Sequence, residues 1–470
     1  MPRPHTSTPG AGFDFNDPLP PVFKEVMVHD PSILKAGDTF YIFGSHMASA
    51  CSTDLIAWEQ ISDYTRPGNP LMHSLEDFRD AFEWSKSPTF WAGDIQPMPD
   101  GRFLMYYCNC QGSMPLGNIG LAISNKPEGP YKNQGIFLKS GMKWTSEDGT
   151  PFDPTIHPNC IDPHAFFDED GLYRLLYGSF SGGIFILRLN PVTGLPFPGQ
   201  GYGKKLLGGN HARIEGPYML YSPETGYYYL FLSFGGLGRE EGYNIRVVRS
   251  RNAEGPFYDA QGNDMTNVKG AEGTIFDDKS IEPYGTKLMG GYWFMQELGE
   301  PGRGTTGHIS PGHNSAYYDE KTGRYFLIFH QRFPHSRTIH QVRVHEMFLT
   351  GDGWFVVSPF RYDGAPLRTF KPEHVHGTWK IINHGQDINY TPKLSVTVHL
   401  NPDGTVTGFK TGTWHLGNDG KSFAITIDDI EYKGRLLRSY AADHGRWVMS
   451  FTAMSQEGVA LWGAGVAVDV

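Results

Sequence analysis

The chain has 470 residues, a formal net charge of −10, 14% aromatic residues and 58 glycines. This length allows a large core and about two domains. The negative charge argues against a nucleic-acid partner, because nothing in the chain would neutralise phosphates, and no apolar run approaches the ~20 residues of a membrane span. The first ten residues lack the apolar segment of a signal peptide, so we expect either a cytoplasmic protein or one whose signal peptide was removed from this sequence.

After a polar, proline-rich lead-in over residues 1–25, one motif recurs along the next 340 residues or so. A polar residue beside proline or glycine is followed, 7 to 11 residues later, by a turn glycine and then by an aromatic strand. Alternating large residues after such a turn indicate half-buried β-strands. The polar residues that begin the five copies are Asp30, Asp94, Asp162, Glu215 and His313.

Repeats of this length, built from short strands, are typical of a β-propeller. We therefore predict an all-β fold with a five-bladed propeller over residues 26–370, in which the fourth blade ends near Tyr258. Equivalent positions of every blade meet at the axis of a propeller. The five polar residues should thus point into one small space.

The character of the chain changes from about Val375. Strands such as Lys393–Leu400 and Ser422–Ile427 alternate cleanly between apolar and polar residues and are separated by Asp-Gly turns. The sequence predicts a second all-β domain over residues 375–470, either a small barrel or a sandwich.

The four cysteines, Cys51, Cys108, Cys110 and Cys160, have no metal-binding spacing. Buried free thiols are the simplest interpretation, and one disulfide stays possible.

Three of the repeated acids, Asp30, Asp162 and Glu215, stand in similar frames beside Pro or Gly-Pro. An aspartate before proline is usually a turn residue, but its recurrence in several blades favours a shared site. Hydrolysis of a glycosidic bond needs one carboxyl group that holds a proton and one that stays ionised. His313 at the same axis would be a metal ligand or an electrostatic anchor, and its spacing specifies no metal.

These segments resemble glycoside hydrolase family 43, and within it the arabinanases. The resemblance is carried by Val28-His29-Asp30-Pro31-Ser32, Ile161-Asp162-Pro163-His164, Ile214-Glu215-Gly216-Pro217-Tyr218 and Pro311-Gly312-His313-Asn314-Ser315. It implies that Asp30 is the general base, that Glu215 is the general acid, and that Asp162 orients the acid and raises its pKa. It also implies a calcium ion held at the axis by His313.

The same resemblance implies inverting hydrolysis of α-1,5-linked arabinan by a secreted monomer, with substrate contacts from Trp91, Asp94, Asn159 and Ser179. Endo action is favoured and exo action stays open, because Ser179-Phe180-Ser181 lacks the tryptophan that is common after Ser-Phe in arabinanases. A β-xylosidase or α-L-arabinofuranosidase is the alternative within the family. A non-catalytic carbohydrate-binding propeller would lose one of the three carboxylates, and all three are present.

Overall fold

A computed structural model of the protein describes residues 7–302 and 307–467. Within this part of the chain, five four-stranded antiparallel sheets follow one another, and consecutive strands pair in each of them. The predicted all-β fold with a five-bladed propeller is confirmed. None of the described helices is long and apolar enough to cross a membrane.

The blades take their strands in chain order. Blade one contains β1–β4, at Ser32–Ala36, Thr39–Phe43, Ser49–Ser52 and Glu59–Ser62, and blade two contains β5–β8, at Asp94–Pro97, Phe103–Cys110, Gly117–Ser124 and Lys132–Lys139. Blade three contains β9–β12, at His164–Phe167, Tyr173–Tyr177, Ile184–Arg188 and Lys204–Leu207. Blade four contains β13–β16, at Ile214–Ser222, Tyr227–Phe234, Asn244–Ser250 and Thr286–Met289. Blade five contains β18–β21, at Ile309–Asp319, Arg324–Phe333, Ser336–Leu349 and Phe355–Val357.

The turn glycines of the repeat are the reason that each first hairpin closes where it does. All five have φ between 61° and 88°, a left-handed conformation that glycine adopts without steric cost. The aromatic strand after each turn is buried, as in β14, where seven of the eight residues from Tyr227 to Phe234 are buried. The glycines are Gly37, Gly101, Gly171, Gly226 and Gly323.

The fourth blade is longer than the sequence indicated, and the predicted end near Tyr258 is wrong. Its outer strand is Thr286–Met289, which pairs with β15 only after an insertion over residues 251–285. Tyr258 forms isolated bridges to Arg249 and Asp264 at the start of this insertion. The insertion has little strand alternation and contains two short helical segments, Met265–Asn267 and Asp278–Ile281.

The remaining helical segments are also short and lie in connections between strands. They are Ser45–Met47, Leu75–Phe78, Arg79–Ser85 and Pro372–His374.

The C-terminal strands close into an eight-stranded barrel in which the first strand, Gly377–Asn383, pairs with both Val396–Leu400 and Ala460–Gly465. Its interior is filled by large side chains, including Trp379, Trp414, Phe423 and Phe451, so the barrel forms a packed core. The strands are β22 and β24–β30, at Gly377–Asn383, Val396–Leu400, Thr405–Gly408, Gly412–Leu416, Ser422–Ile427, Ile430–Ala441, Arg446–Ser455 and Ala460–Gly465.

Propeller and barrel share one continuous core. Tyr292 of the propeller packs edge-on against Trp462 of the barrel, with ring centroids 5.0 Å apart. Beside it, β17 (Tyr292–Trp293) pairs in parallel with β23 (Lys393–Leu394). The N-terminal segment crosses the barrel, where Ser7 accepts a backbone hydrogen bond from Thr378. All four cysteines are free thiols, and only Cys51 is partly exposed.

Candidate active site

Four of the five repeated polar residues meet at the propeller axis. Asp30 and Asp162 stand just before the inner strands of blades one and three, while Glu215 and His313 lie within the inner strands of blades four and five. Asp30, Asp162 and His313 have φ of 57°, 54° and 45°, a left-handed conformation that costs a residue with a side chain about 1–3 kcal/mol. Such strain persists only where the surrounding structure fixes it, and it is concentrated at functional sites.

Asp30 is a buried carboxylate surrounded by histidines. Its Oδ2 accepts hydrogen bonds from Ser45 Oγ (2.5 Å) and His29 Nδ1 (2.8 Å). Its Oδ1 lies 3.3 Å from His313 Nδ1. Burial works to raise the pKa of Asp30, but the imidazoles of His29, His313 and His330 outweigh it and hold the pKa well below the ordinary value of 3.8. This carboxyl group is therefore ionised at any physiological pH.

Glu215 is as buried as Asp30, but its pKa is raised instead of lowered. Tyr243 donates its hydroxyl to Oε1 and Ser179 donates to Oε2, each over 2.8 Å. Burial and the negative charge of Asp162 raise the pKa of Glu215 from 4.5 to about 7, although both hydrogen bonds and His313 lower it. A carboxyl group with this pKa holds a proton in a large fraction of molecules near neutral pH.

Asp162 lies beside this acid. Its Oδ2 accepts the backbone N–H of Gly216, the residue after Glu215, over 3.2 Å. Burial and the charge of Asp30 raise the pKa of Asp162 well above 3.8. The structure thus brings the three carboxyl groups together, with one pKa lowered and two raised.

The glycines of the two motifs make room for this arrangement. Gly216 has φ of 59°, and a Cβ there would lie 3.2 Å from the His313 ring. A Cβ on Gly312 would lie 2.0 Å from the Tyr243 ring, which rules out any side chain at that position. His313 is further fixed by its backbone N–H, which donates to Ser233 Oγ over 2.7 Å.

Asp94 is the repeated residue that does not join the other four, so the expectation that all five share one small space is wrong for it: its carboxylate links neighbouring blades instead. Its Oδ2 accepts the backbone N–H of Ala165 over 2.7 Å and lies 3.3 Å from His164 Nδ1, both of blade three. Its Oδ1 accepts the hydroxyl of Ser32 from blade one. The residue as a whole is only 3% exposed. A sugar contact from Asp94 stays a prediction.

The other predicted substrate contacts differ in their surroundings. Ser179 bonds Glu215 directly. Asn159 is buried and accepts a hydrogen bond from Ser140 Oγ over 3.2 Å. Trp91 is partly exposed and packs over Gly112, where a Cβ would lie 3.4 Å from its ring.

Several residues that hold the site were given no role by the sequence. Tyr243, Ser45 and His330 each contact one of the two central carboxylates or the backbone beside it. His29 stood within a motif, yet nothing in its spacing indicated a hydrogen bond to Asp30. The one sequence signal for His330 is a polar residue within an aromatic strand.

One group of three residues in the described chain offers enough ligand atoms to hold a metal ion. His29, Asp30 and His330 place one potential ligand atom each within 4.8 Å of one another. His330 Nδ1 already accepts the backbone N–H of Asp30 over 3.1 Å, and His29 Nδ1 forms a hydrogen bond with the Asp30 carboxylate. Both imidazoles are thus occupied by Asp30 itself, and His313 is the axial histidine beside them.

Comparison with known proteins agrees with this geometry. Residues 20–279 match the family model of glycosyl hydrolases family 43, and residues 359–463 match that of a C-terminal lipocalin-like domain found in the same family. The chain is 54% identical over 446 residues to an extracellular endo-α-(1→5)-L-arabinanase of Bacillus subtilis, covering 94% of each chain. It is 45% identical over 455 residues to an extracellular endo-α-(1→5)-L-arabinanase of Thermotoga petrophila, again covering 94% of each.

Solved structures give the same result. A family 43 glycoside hydrolase from Bacillus licheniformis superposes with a TM-score of 0.91 at 53% identity, over 94% of this chain and 99% of that one. With the family model, the near-full-length relatives and the carboxylate site in agreement, the chain belongs to glycosyl hydrolases family 43.

Proposed function

We propose that this protein is an endo-acting glycosidase that cleaves α-1,5-linked arabinan with inversion at the anomeric carbon. The observation that carries this proposal is the pair of opposed carboxyl groups, because Asp30 has a lowered pKa and Glu215 has a pKa of about 7. Glycosidic hydrolysis needs this pairing of a base with a protonated acid. Two relatives that match nearly the whole chain are both named endo-arabinanases.

The roles follow from the protonation states. Asp30 takes a proton from water as the water oxygen attacks the anomeric carbon. The bond from that carbon to the leaving oxygen breaks, and Glu215 donates its proton to the leaving oxygen. Asp162 keeps the pKa of Glu215 raised by its charge, and its link to Gly216 fixes the backbone beside the acid.

We also propose that a calcium ion occupies the axis beside His313, held by this imidazole and mostly by water oxygens, since calcium prefers oxygen ligands. The support is local. The next residue, Asn314, is buried, and neither polar atom of its amide has a partner within the described chain, so ordered water would satisfy it. A bound calcium would supply positive charge that stabilises nearby carboxylates.

The relatives' names also favour a secreted enzyme. We expect it to work as a monomer, because one chain supplies every group of the site described above.

Product analysis tests the substrate and mode of action. Linear debranched arabinan should give arabino-oligosaccharides of several lengths in the first minutes, whereas linear xylan and aryl β-xylosides should be untouched. Glu215→Gln is the matched control for contaminating activity. Rapid release of xylose without action on arabinan would overturn the substrate assignment, and arabinose as the sole early product would overturn the endo mode.

A further inference from the structure

The two oxygens of Asp30 have unequal surroundings. Oδ2 accepts two short hydrogen bonds, from Ser45 Oγ at 2.5 Å and from His29 Nδ1 at 2.8 Å. Within the part of the chain that the structure describes, Oδ1 has only longer contacts, 3.3 Å to His313 Nδ1 and 3.5 Å to His330 Nδ1. His330 Nδ1 accepts the backbone N–H of Asp30, so this atom carries no hydrogen to give to Oδ1.

The tautomer of His29 follows from its partners. An ionised carboxylate only accepts hydrogen bonds, so His29 Nδ1 must carry the hydrogen. On the other side of the ring, a nitrogen of Arg332 lies 3.4 Å from His29 Nε2. A guanidinium only donates, so it pairs with an Nε2 that has a lone pair. Both neighbours thus select the same tautomer.

The His29 ring is also held in place by its faces. It stacks on the ring of His330 with centroids 4.2 Å apart and an interplanar angle of 20°. The edge of His340 approaches it with centroids 4.9 Å apart. The imidazole therefore has a fixed position as well as a fixed tautomer, which is what a group needs in order to orient another one.

We propose that His29 is a positioning residue for hydrolysis: its Nδ1–H and the Ser45 hydroxyl fix Oδ2 of Asp30, and Oδ1 is left as the oxygen that takes the proton from the attacking water. This inference rests on the proposed role of Asp30 as the base. It assigns His29 no contact with substrate. Its effect is to hold one carboxylate oxygen toward the water, and an error of about 1 Å in such placement can cost about 100-fold in rate.

Two substitutions at position 29 separate this role from a general packing role. The amide nitrogen of His29→Asn falls near the Nδ1 position, whereas that of His29→Gln falls near the Nε2 position. Both variants are polar amides. We expect His29→Asn to keep kcat on linear arabinan within about threefold, and His29→Gln to lower kcat about 10- to 100-fold with little change in KM.

Equal losses in the two variants, with unchanged melting temperatures, would overturn the proposal, as would a loss confined to KM. His29→Gly gives a second measurement if either amide variant unfolds. Free imidazole should restore kcat of His29→Gly in a saturable way, and no recovery in the folded variant would count against it. Asp30→Ala separates a failure of the proposed base from a failure of the inference about His29. If Asp30→Ala stays active, Asp30 is not the base. If Asp30→Ala is inactive and His29→Gln is fully active, only the inference about His29 is wrong.

Discussion

The backbone N–H of Gly216 donates to Oδ2 of Asp162 over 3.2 Å. This bond ties the third carboxylate to the peptide that follows Glu215, so the acid and the group that raises its pKa move together. Asp162 comes from a position before blade three and Gly216 from blade four, and the bond spans 54 residues of sequence. The proton-donating half of the site thus depends on the contact between two neighbouring blades.

Replacing Glu215 should lower kcat/KM most on substrates whose leaving group needs a proton in order to depart. Glu215→Ala should lower kcat/KM on arabinan by about 10²–10⁴-fold, the usual contribution of general acid catalysis. An aryl arabinofuranoside with a nitrophenolate leaving group departs without a proton, so its loss should be much smaller. Comparing kcat/KM of both substrates checks this, and equal losses would remove the acid role from Glu215.

The pH profile should have its basic limb near the pKa of Glu215. The acid must be protonated, and its pKa is about 7, so kcat/KM should fall as the pH rises through about 7. Asp30 must be ionised, and its pKa lies well below 3.8, so the acid limb should lie below that value while the protein stays folded. Since the charge of Asp162 raises the pKa of Glu215, Asp162→Asn should move the basic limb to lower pH. A profile of kcat/KM against pH for both proteins checks the direction, and an upward shift would contradict the role of Asp162.

Gly216 should tolerate no side chain. Its φ of 59° strains any other residue, and a Cβ would press on the His313 ring at 3.2 Å. Gly216→Ala should lower the free energy of unfolding by about 1–2 kcal/mol and also lower kcat. Thermal unfolding and initial rates measure both. Gly226→Ala, at a hairpin turn with a similar φ of 64° and no His313 contact, is the control that should lose stability while keeping kcat.

Chelation should reveal the axial ion. Dialysis against EDTA should lower both kcat and the melting temperature, and added calcium should restore them. His313→Ala should make the enzyme insensitive to EDTA, because the proposed ligand is then missing. If exhaustive chelation leaves the wild-type enzyme unchanged in both measurements, the calcium proposal is wrong.

The fold was predictable because each copy of the repeat contains short sequence features that determine local structure. A polar residue, a turn glycine and an aromatic strand recur at similar spacing, and each has its own physical cause within about twenty residues. The outer strand of blade four was missed because residues 251–285 separate Thr286 from the strand it pairs with, and a short buried strand carries little periodicity of its own.

The three carboxylates of the site could be predicted from the sequence, but most of their hydrogen-bond partners could not. Asp30, Asp162 and Glu215 stand at equivalent points of the repeat, so their convergence follows from the fold. The group that bonds the Asp30 backbone is His330, 300 residues away. Tyr243, which bonds Glu215, lies between two strands with no local feature to mark its partner. Hydrogen bonds between blades depend on how the blades pack, so the residues that form them have no regular separation along the sequence.

The most direct test of the central claim is the anomeric configuration of the first product. Proton NMR recorded in the first minutes of arabinan hydrolysis separates the α and β anomers of the new reducing end before they interconvert. With Asp30 as a base that activates water, the α-linked substrate should give the β anomer first. Initial release of the α anomer would contradict both the inverting mechanism and the role of Asp30.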